Sequence, residues 1–310
     1  MNRLKILLSI CYIWISCATH AQINPYDYLK LNVYKKDMSA LVLKETYTIN
    51  KSKNSEHKKK FLSAREEYDE EGRTALTLCF DPEGDMTSKI ITYYPTASSE
   101  KNIFQQRGSF LDSVVYRFNA EGLRMMEVWH WGESRSEDTI SYSYNRKKQL
   151  TGVTMRYGWD TKRDTLIYKD GLLQKALTYS SDLGLQKEVD FVYGYDSTLI
   201  KANLLNSQRL VVEEEFFYYN NKGQVHKSIA KYYPDGEELL APPNMVAKYK
   251  YYPNNKFKEI TKTVFNEKGK KTSVTKLTYT PEGHLMKEQN KNDKEGINKT
   301  TVVNYTIRKK

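Results

Sequence analysis

Apolar and polar residues alternate with a period of two through most of the chain beyond residue 40. Met245, Ala247, Tyr249 and Tyr251 form one row, while Lys248 and Lys250 point the other way. Val189, Phe191, Tyr193 and Tyr195 form a second row, opposed by Glu188 and Asp190. Successive side chains of a strand fall on opposite faces, so each segment predicts a strand with an aromatic face and a charged face. That is the pattern of an antiparallel sheet wetted on one side. No helical period of useful length competes with it.

The rows end in a repeated motif: aromatic, any residue, aromatic, Asn or Asp, two residues, Gly. It is clearest around Tyr68-Asp69-Glu70-Glu71-Gly72-Arg73, and it returns at Phe118-Asn119-Ala120-Glu121-Gly122 and Tyr219-Asn220-Asn221-Lys222-Gly223. Other copies start at Phe80, Phe265 and Tyr279, and at Tyr144-Asn145, where Lys148 takes the glycine place. Shorter or degenerate copies are Tyr168-Lys169-Asp170-Gly171, Tyr233-Pro234-Asp235-Gly236 and Tyr251-Tyr252-Pro253-Asn254-Asn255. The Asn or Asp side chain can bond its own backbone and start a turn, and Gly supplies a positive φ before the next strand begins. Tyr68 to Phe80 is 12 residues, and Phe118 to Tyr144 is 26, about twice that unit. The missing turns have candidates at Trp131-Gly132-Glu133, Gly158-Trp159-Asp160 and Asp182-Leu183-Gly184. The chain therefore reads as all-β, a meander of consecutive antiparallel hairpins with strands of roughly 6–10 residues. A flat sheet would leave its aromatic face in water, so a curved or folded-over sheet is expected.

The Tyr-Asp-x-x-Gly-Arg run at 68–73 and its weaker echoes resemble the YD repeats of the RHS family. Tyr-Tyr-Pro-Asp-Gly and Tyr-Tyr-Pro-Asn-Asn resemble MORN-type repeats. The likeness covers most of residues 40–290 and implies a β-repeat architecture. Large RHS proteins wrap their repeats around a C-terminal toxin. Here about 25 residues follow the last repeat, ending in the strand-like Val302-Val303-Asn304-Tyr305-Thr306-Ile307, and a short form without a toxin domain is expected.

The 310 residues include 25 Tyr and 4 Trp, and 28% are charged. This is too aromatic for a disordered chain and too polar for a multi-span helical membrane protein. Residues 1–21 have the basic start, apolar run and small-residue end of a secretory leader, with cleavage expected after Ala21. The lipobox-like Ile15-Ser16-Cys17-Ala18 offers lipidation of Cys17 as the rival processing route. Cleavage after Ala21 leaves Cys79 alone, read as a small buried hydrophobe. The mature chain, 22–310, reads as a single β-repeat domain with no transmembrane helix. Its part 256–310 holds 14 basic and 6 acidic residues, net +8. Such a segment suits phosphate-rich lipid, acidic glycan or nucleic acid, and export counts against the last. The plain reading is a solvated, Lys-rich face that protects sheet edges.

Signatures of chemistry are missing. His57, His130, His226 and His284 are isolated, with no metal-ligand spacing. No nucleophile elbow, phosphate loop or dinucleotide fingerprint occurs. Asp69-Glu70-Glu71 reads as a repeat turn and Glu213-Glu214-Glu215 as a polar strand face. No catalytic, cofactor-binding or metal residues are expected, and the chain is read as no enzyme. Trp129 and Trp131 share a face near a turn, and Trp159 sits in another turn. Such rings can stack on sugars or seat at a membrane interface, or cap the end of a core. The sequence thus points to an exported, non-enzymatic β-repeat protein of the bacterial envelope, periplasmic, outer-membrane associated or secreted. Its expected partner is a glycan, a lipid head group or a protein. The alternatives are a lipid-carrying half-barrel and a glycan-active enzyme with paired carboxylates.

Overall fold

The computed structural model describes residues 41–50, 60–106, 109–132, 134, 136–158, 160–233, 244–266, 268–292 and 297–307. The expected leader with Cys17, His57, most of the Lys51–Lys60 segment, the Pro234-Asp235-Gly236 turn and Trp159 lie outside them. Twenty strands follow one another: β1 (Leu41–Asn50), β2 (Lys60–Tyr68), β3 (Thr74–Phe80), β4 (Met86–Thr96), β5 (Ser99–Gln106), β6 (Ser109–Phe118), β7 (Arg124–Trp131), β8 (Glu137–Tyr144), β9 (Leu150–Tyr157) and β10 (Asp160–Lys169). The second ten are β11 (Leu172–Ser180), β12 (Gly184–Tyr193), β13 (Leu199–Leu205), β14 (Val211–Tyr219), β15 (Val225–Tyr232), β16 (Met245–Tyr251), β17 (Phe257–Phe265), β18 (Lys271–Tyr279), β19 (Leu285–Asn292) and β20 (Ile297–Ile307). The expected hairpins form, including those at Trp131-Gly132, Gly158 and Asp182-Leu183-Gly184.

Each strand pairs antiparallel with the next, and β1 pairs with β20 from Leu41↔Ile307 to Asn50↔Lys299. The sheet is therefore a closed barrel, not the expected curved or folded-over open sheet. Pairing the first strand with the last removes both edges, which twist and coil alone would leave exposed. Part 256–310 enters the same ring as β17 to β20, with Lys291 in β19 and Lys299 in β20.

The turns are built alike. At Asp69, Asp81, Asn119, Asn145, Asn206, Asn220 and Asn266 the side-chain oxygen accepts from the backbone N–H groups two and four residues later. The residue three places on takes a positive φ: Gly122 at 77°, but also Lys148 at 62° and Arg209 at 62°. A bulge follows each such turn, as where Tyr219 pairs with Val225 and Tyr218 with Lys227, leaving His226 as the extra residue. The bulge puts Met125, Ile200 and Met286 at exposed positions.

One face carries most of the buried apolar side chains: Leu150, Val153, Leu166, Leu173, Ala176, Val189, Phe191, Leu199, Ala202, Phe217 and Val225 form a continuous cluster along β9 to β15. Side chains converge on the concave side of a closed wall and spread on the convex side, so this is the inner face. Barrels of sixteen or more strands are too wide for their lining to fill. Burial is instead achieved along the wall, by tyrosines at or near the ends of even-numbered strands. The hydroxyls of Tyr94, Tyr144, Tyr193, Tyr219, Tyr251 and Tyr305 donate to the carbonyls of Thr74, Arg124, Leu173, Leu199, Val225 and Leu285 at 2.6–2.9 Å. Each ring thus reaches back to the start of the preceding strand, and Leu173 beneath one is only 1% exposed. Burial pushes the Tyr193, Tyr251 and Tyr305 hydroxyls up to about 12, so they remain donors at neutral pH.

Two expected placements are corrected. Tyr195 leaves its row for the β12–β13 turn, where it is fully exposed. The Glu213-Glu214-Glu215 run is not one polar face. Strand alternation puts Glu213 and Glu215 on the inner face, buried, while Glu214 pairs outside with Lys201 and Tyr233. Cys79 lies on the inner face of β3 opposite Ser88, half-buried as a free thiol.

Candidate functional site

At the end of the barrel opposite the tyrosine caps, the inner face carries an aromatic strip. The β7 residues Trp129 and Trp131 share a face two residues apart, and their rings stack at 5.9 Å with 19° between planes. Phe104 of β5 extends the stack onto Trp129 at 6.0 Å and 15°. Between them β6 contributes Val114, fully buried and paired with Trp129, and Asp112, paired with both Phe104 and Trp131. The strip exists because β6 offers small or short side chains where its neighbours offer rings. All three rings remain partly exposed.

Carboxylates fix the ring orientations. Trp131 donates its indole N–H to Asp138 Oδ2 at 2.7 Å, and Trp129 donates to Glu127 Oε2 at 3.2 Å. The other oxygen of Asp138 accepts from the Gly158 N–H, and Asp112 accepts from the Gly132 N–H. Glu127 is nearly fully buried, and its Oε1 accepts from both Arg124 at 2.9 Å and the Tyr142 hydroxyl. Burial and the Glu127 charge raise the Tyr142 hydroxyl well above its ordinary value, so it stays a donor. Tyr157, 38% exposed and paired with Asp138, borders the strip from β9.

The structure thus brings Trp129 and Trp131 together on one face, as their spacing implied, while Trp159 lies outside the described residues. Sequence reasoning missed Phe104, Asp112, Glu127, Asp138 and Tyr157. They come from β5 to β9, and only the strand registers align them with the tryptophans. The arrangement offers ring surface rimmed by hydrogen-bond acceptors. Each carboxylate already holds a ring or a backbone N–H, which suits positioning more than proton transfer. No group of side chains suited to a metal ion occurs among the described residues, nor any helix long and apolar enough to cross a membrane.

No family model matches the chain, and no curated protein matches it. Among solved structures it is similar to the TcdB2-TccC3-TEV structure at 13% identity and a TM-score of 0.36, over 83% of this chain but only 14% of that one. It is also similar to a porin-like protein from Bacteroides uniformis, at 11% identity and a TM-score of 0.32 over 86% of this chain and 98% of that one. A porin-like protein from Bacteroides vulgatus follows at 10% identity and a TM-score of 0.26, over 86% and 99% of the two chains. Likeness of this degree carries no assignment of activity, ligand or location to this chain.

Proposed function

We propose that the protein is an exported, non-enzymatic binding barrel of the bacterial envelope whose inner aromatic strip holds a neutral glycan. The observation that carries this reading is the Phe104–Trp129–Trp131 stack, partly exposed and held by indole–carboxylate hydrogen bonds. Sugar rings present apolar faces that pack on aromatic faces and hydroxyls that donate to acceptors. The partly exposed Asp138 carboxylate at the rim favours hydroxyl donors and repels anionic sugars. Export rests on the leader pattern of residues 1–21.

The lipid-carrying alternative is disfavoured by the tyrosine caps, which cover much of the apolar inner cluster within the wall. The hydrolase alternative needs one carboxylic acid and one free carboxylate flanking a sugar, whereas the site's carboxylates are committed to holding rings and backbone. Titration with neutral oligosaccharides, followed by tryptophan fluorescence, tests the proposal. Two of the three tryptophans beyond the leader are in the strip, so their emission reports occupancy directly. Trp131→Ala should weaken binding by about tenfold or more, the loss of roughly 1.5 kcal/mol of ring contact. Equal affinity in that variant, or no response to any neutral glycan, would remove the reading.

A further inference from the structure

We propose that the outer face of β13 to β19 is a docking surface for an anionic phospholipid bilayer. Between residues 211 and 307 the chain has sixteen lysines and no arginine, whereas residues 41–210 contain ten arginines. The alternation places Lys201, Lys227, Lys231, Lys248, Lys250, Lys276 and Lys287 on the outer side of these strands, facing away from the inner row of Phe217, Ser228, Ala247, Ile260 and Leu277. The acids on the same patch are already engaged: Glu214 by Lys201, and Glu259 by both Lys250 and Lys276. Lys227 and Lys248 face each other directly across the β15–β16 pair. Like charges directly opposite are destabilising in a sheet, so a counter-charge supplied from outside would relieve this pair.

Edge protection explains exposed lysines in an open sheet, but these strands are central members of a closed ring and have no edge to protect. The shape of the patch identifies the partner. The charges lie on five of seven neighbouring strands of a convex wall, which matches a surface better than a thread or a discrete anion. They are ammonium groups on long apolar stems, which act as point charges toward phosphate. Aromatic rings lie among them: Tyr218 is 43% exposed, with the Lys227 ammonium 5.5 Å from its centroid. Phe216 sits beneath Lys201 and Lys231 at 5.4 and 5.9 Å. Rings interleaved with lysine stems are the composition that settles at a membrane interface.

Flotation of the chain 22–310 with vesicles of phosphatidylglycerol and phosphatidylethanolamine tests the proposal, with phosphatidylcholine vesicles and soluble heparin as parallel arms. The expected result is binding to the phosphatidylglycerol vesicles alone, released by 0.5 M salt through screening of the exposed charges. Lys227→Glu, Lys248→Glu and Lys287→Glu together should weaken it on the order of a hundredfold, at about fivefold for each lysine lost. A control triple, Lys89→Glu, Lys101→Glu and Arg117→Glu on the outer face of β4 to β6, should bind as the parent does. Circular dichroism checks that both triples fold, and the salt release needs no variant at all. The proposal is overturned if the parent ignores the anionic vesicles, if it takes heparin instead, if salt leaves it bound, or if the two folded triples behave alike.

Discussion

Among the described residues, seven turns place an Asn or Asp so that one oxygen accepts from two backbone N–H groups, and five of the seven follow it with Gly at positive φ. At Lys148 a side chain occupies that position, with φ at 62°. The left-handed region costs an L-residue about 1–2 kcal/mol, which glycine avoids at some entropic cost. Lys148→Gly should therefore stabilise the protein by about 1 kcal/mol, read as a rise of about 2 °C in Tm. The Lys148–Glu121 pair that is lost is 3.2 Å long with both side chains about half exposed, and exposed pairs contribute little. Glu213 gives the opposite kind of residue effect. Burial, and then the neighbouring Glu215, pushes its carboxyl up to about 7. The folded chain thus keeps a proton that the unfolded chain releases nearer 4.5. The sign follows: stability attributable to Glu213 is highest below pH 4.5 and falls as pH rises through 7, by on the order of 3 kcal/mol. Glu213→Gln should flatten that part of the stability profile and raise denaturant midpoints at pH 8. An unchanged slope between pH 5 and 7 would show that Glu213 ionises without cost.

The hairpin is the unit at the next scale, and its tyrosine cap joins it to its neighbour. Tyr219 covers Leu199 and donates to its carbonyl at 2.6 Å. Tyr219→Phe removes one hydrogen bond and should cost about 1 kcal/mol, while Tyr219→Ala also uncovers Leu199 and should cost about 3–5 kcal/mol. Chemical denaturation of the two variants separates bond from cover, and equal losses would refute the cover. Phe118 holds the same place at the end of β6 without a hydroxyl, so packing of the ring alone is tolerated there. Much of this level was legible in the sequence. Paired aromatics before Asn or Asp and Gly located the turns, and even Lys148 was recognisable as a stand-in for glycine. The bulge after each turn was not legible, because an extra residue alters the alternation without a residue type of its own. The site was half legible for a related reason. Trp129 and Trp131 announce a shared face by their spacing of two, but Phe104 and Asp138 join them only through the β5–β6–β7–β8 register. Glu213-Glu214-Glu215 misled because three like residues in a strand look like one surface, although the backbone sends the middle one to the opposite side.

At the scale of the whole molecule, what local pattern leaves open is how twenty similar strands end. Every local signal, turn, bulge and cap, is satisfied equally by an open sheet and by a ring. Closure is decided by the pairing of β1 with β20, residues separated by nearly the entire chain. That seam contains Val303, buried on the inner face, and the Tyr305 cap on Leu285. Since each hairpin packs mainly on its sequence neighbours, the remainder should keep its local structure if the seam is lost, as in repeat proteins whose stability is summed from nearest neighbours. Ending the chain at residue 296 removes β20 and exposes the hydrogen-bonding edges of β1 and β19. Two long unpaired edges on one molecule are templates for pairing with another copy. The truncated chain should keep a β-rich circular dichroism spectrum but associate into higher species in light scattering after size exclusion, where the chain that keeps β20 gives a smaller, discrete one. Hydrogen exchange should then quicken at β1 and β19 while β9 to β15, which hold the buried cluster, stay protected. A truncated chain that stays as discrete as the parent, with β1 and β19 still protected, would mean that the ring does not depend on this seam.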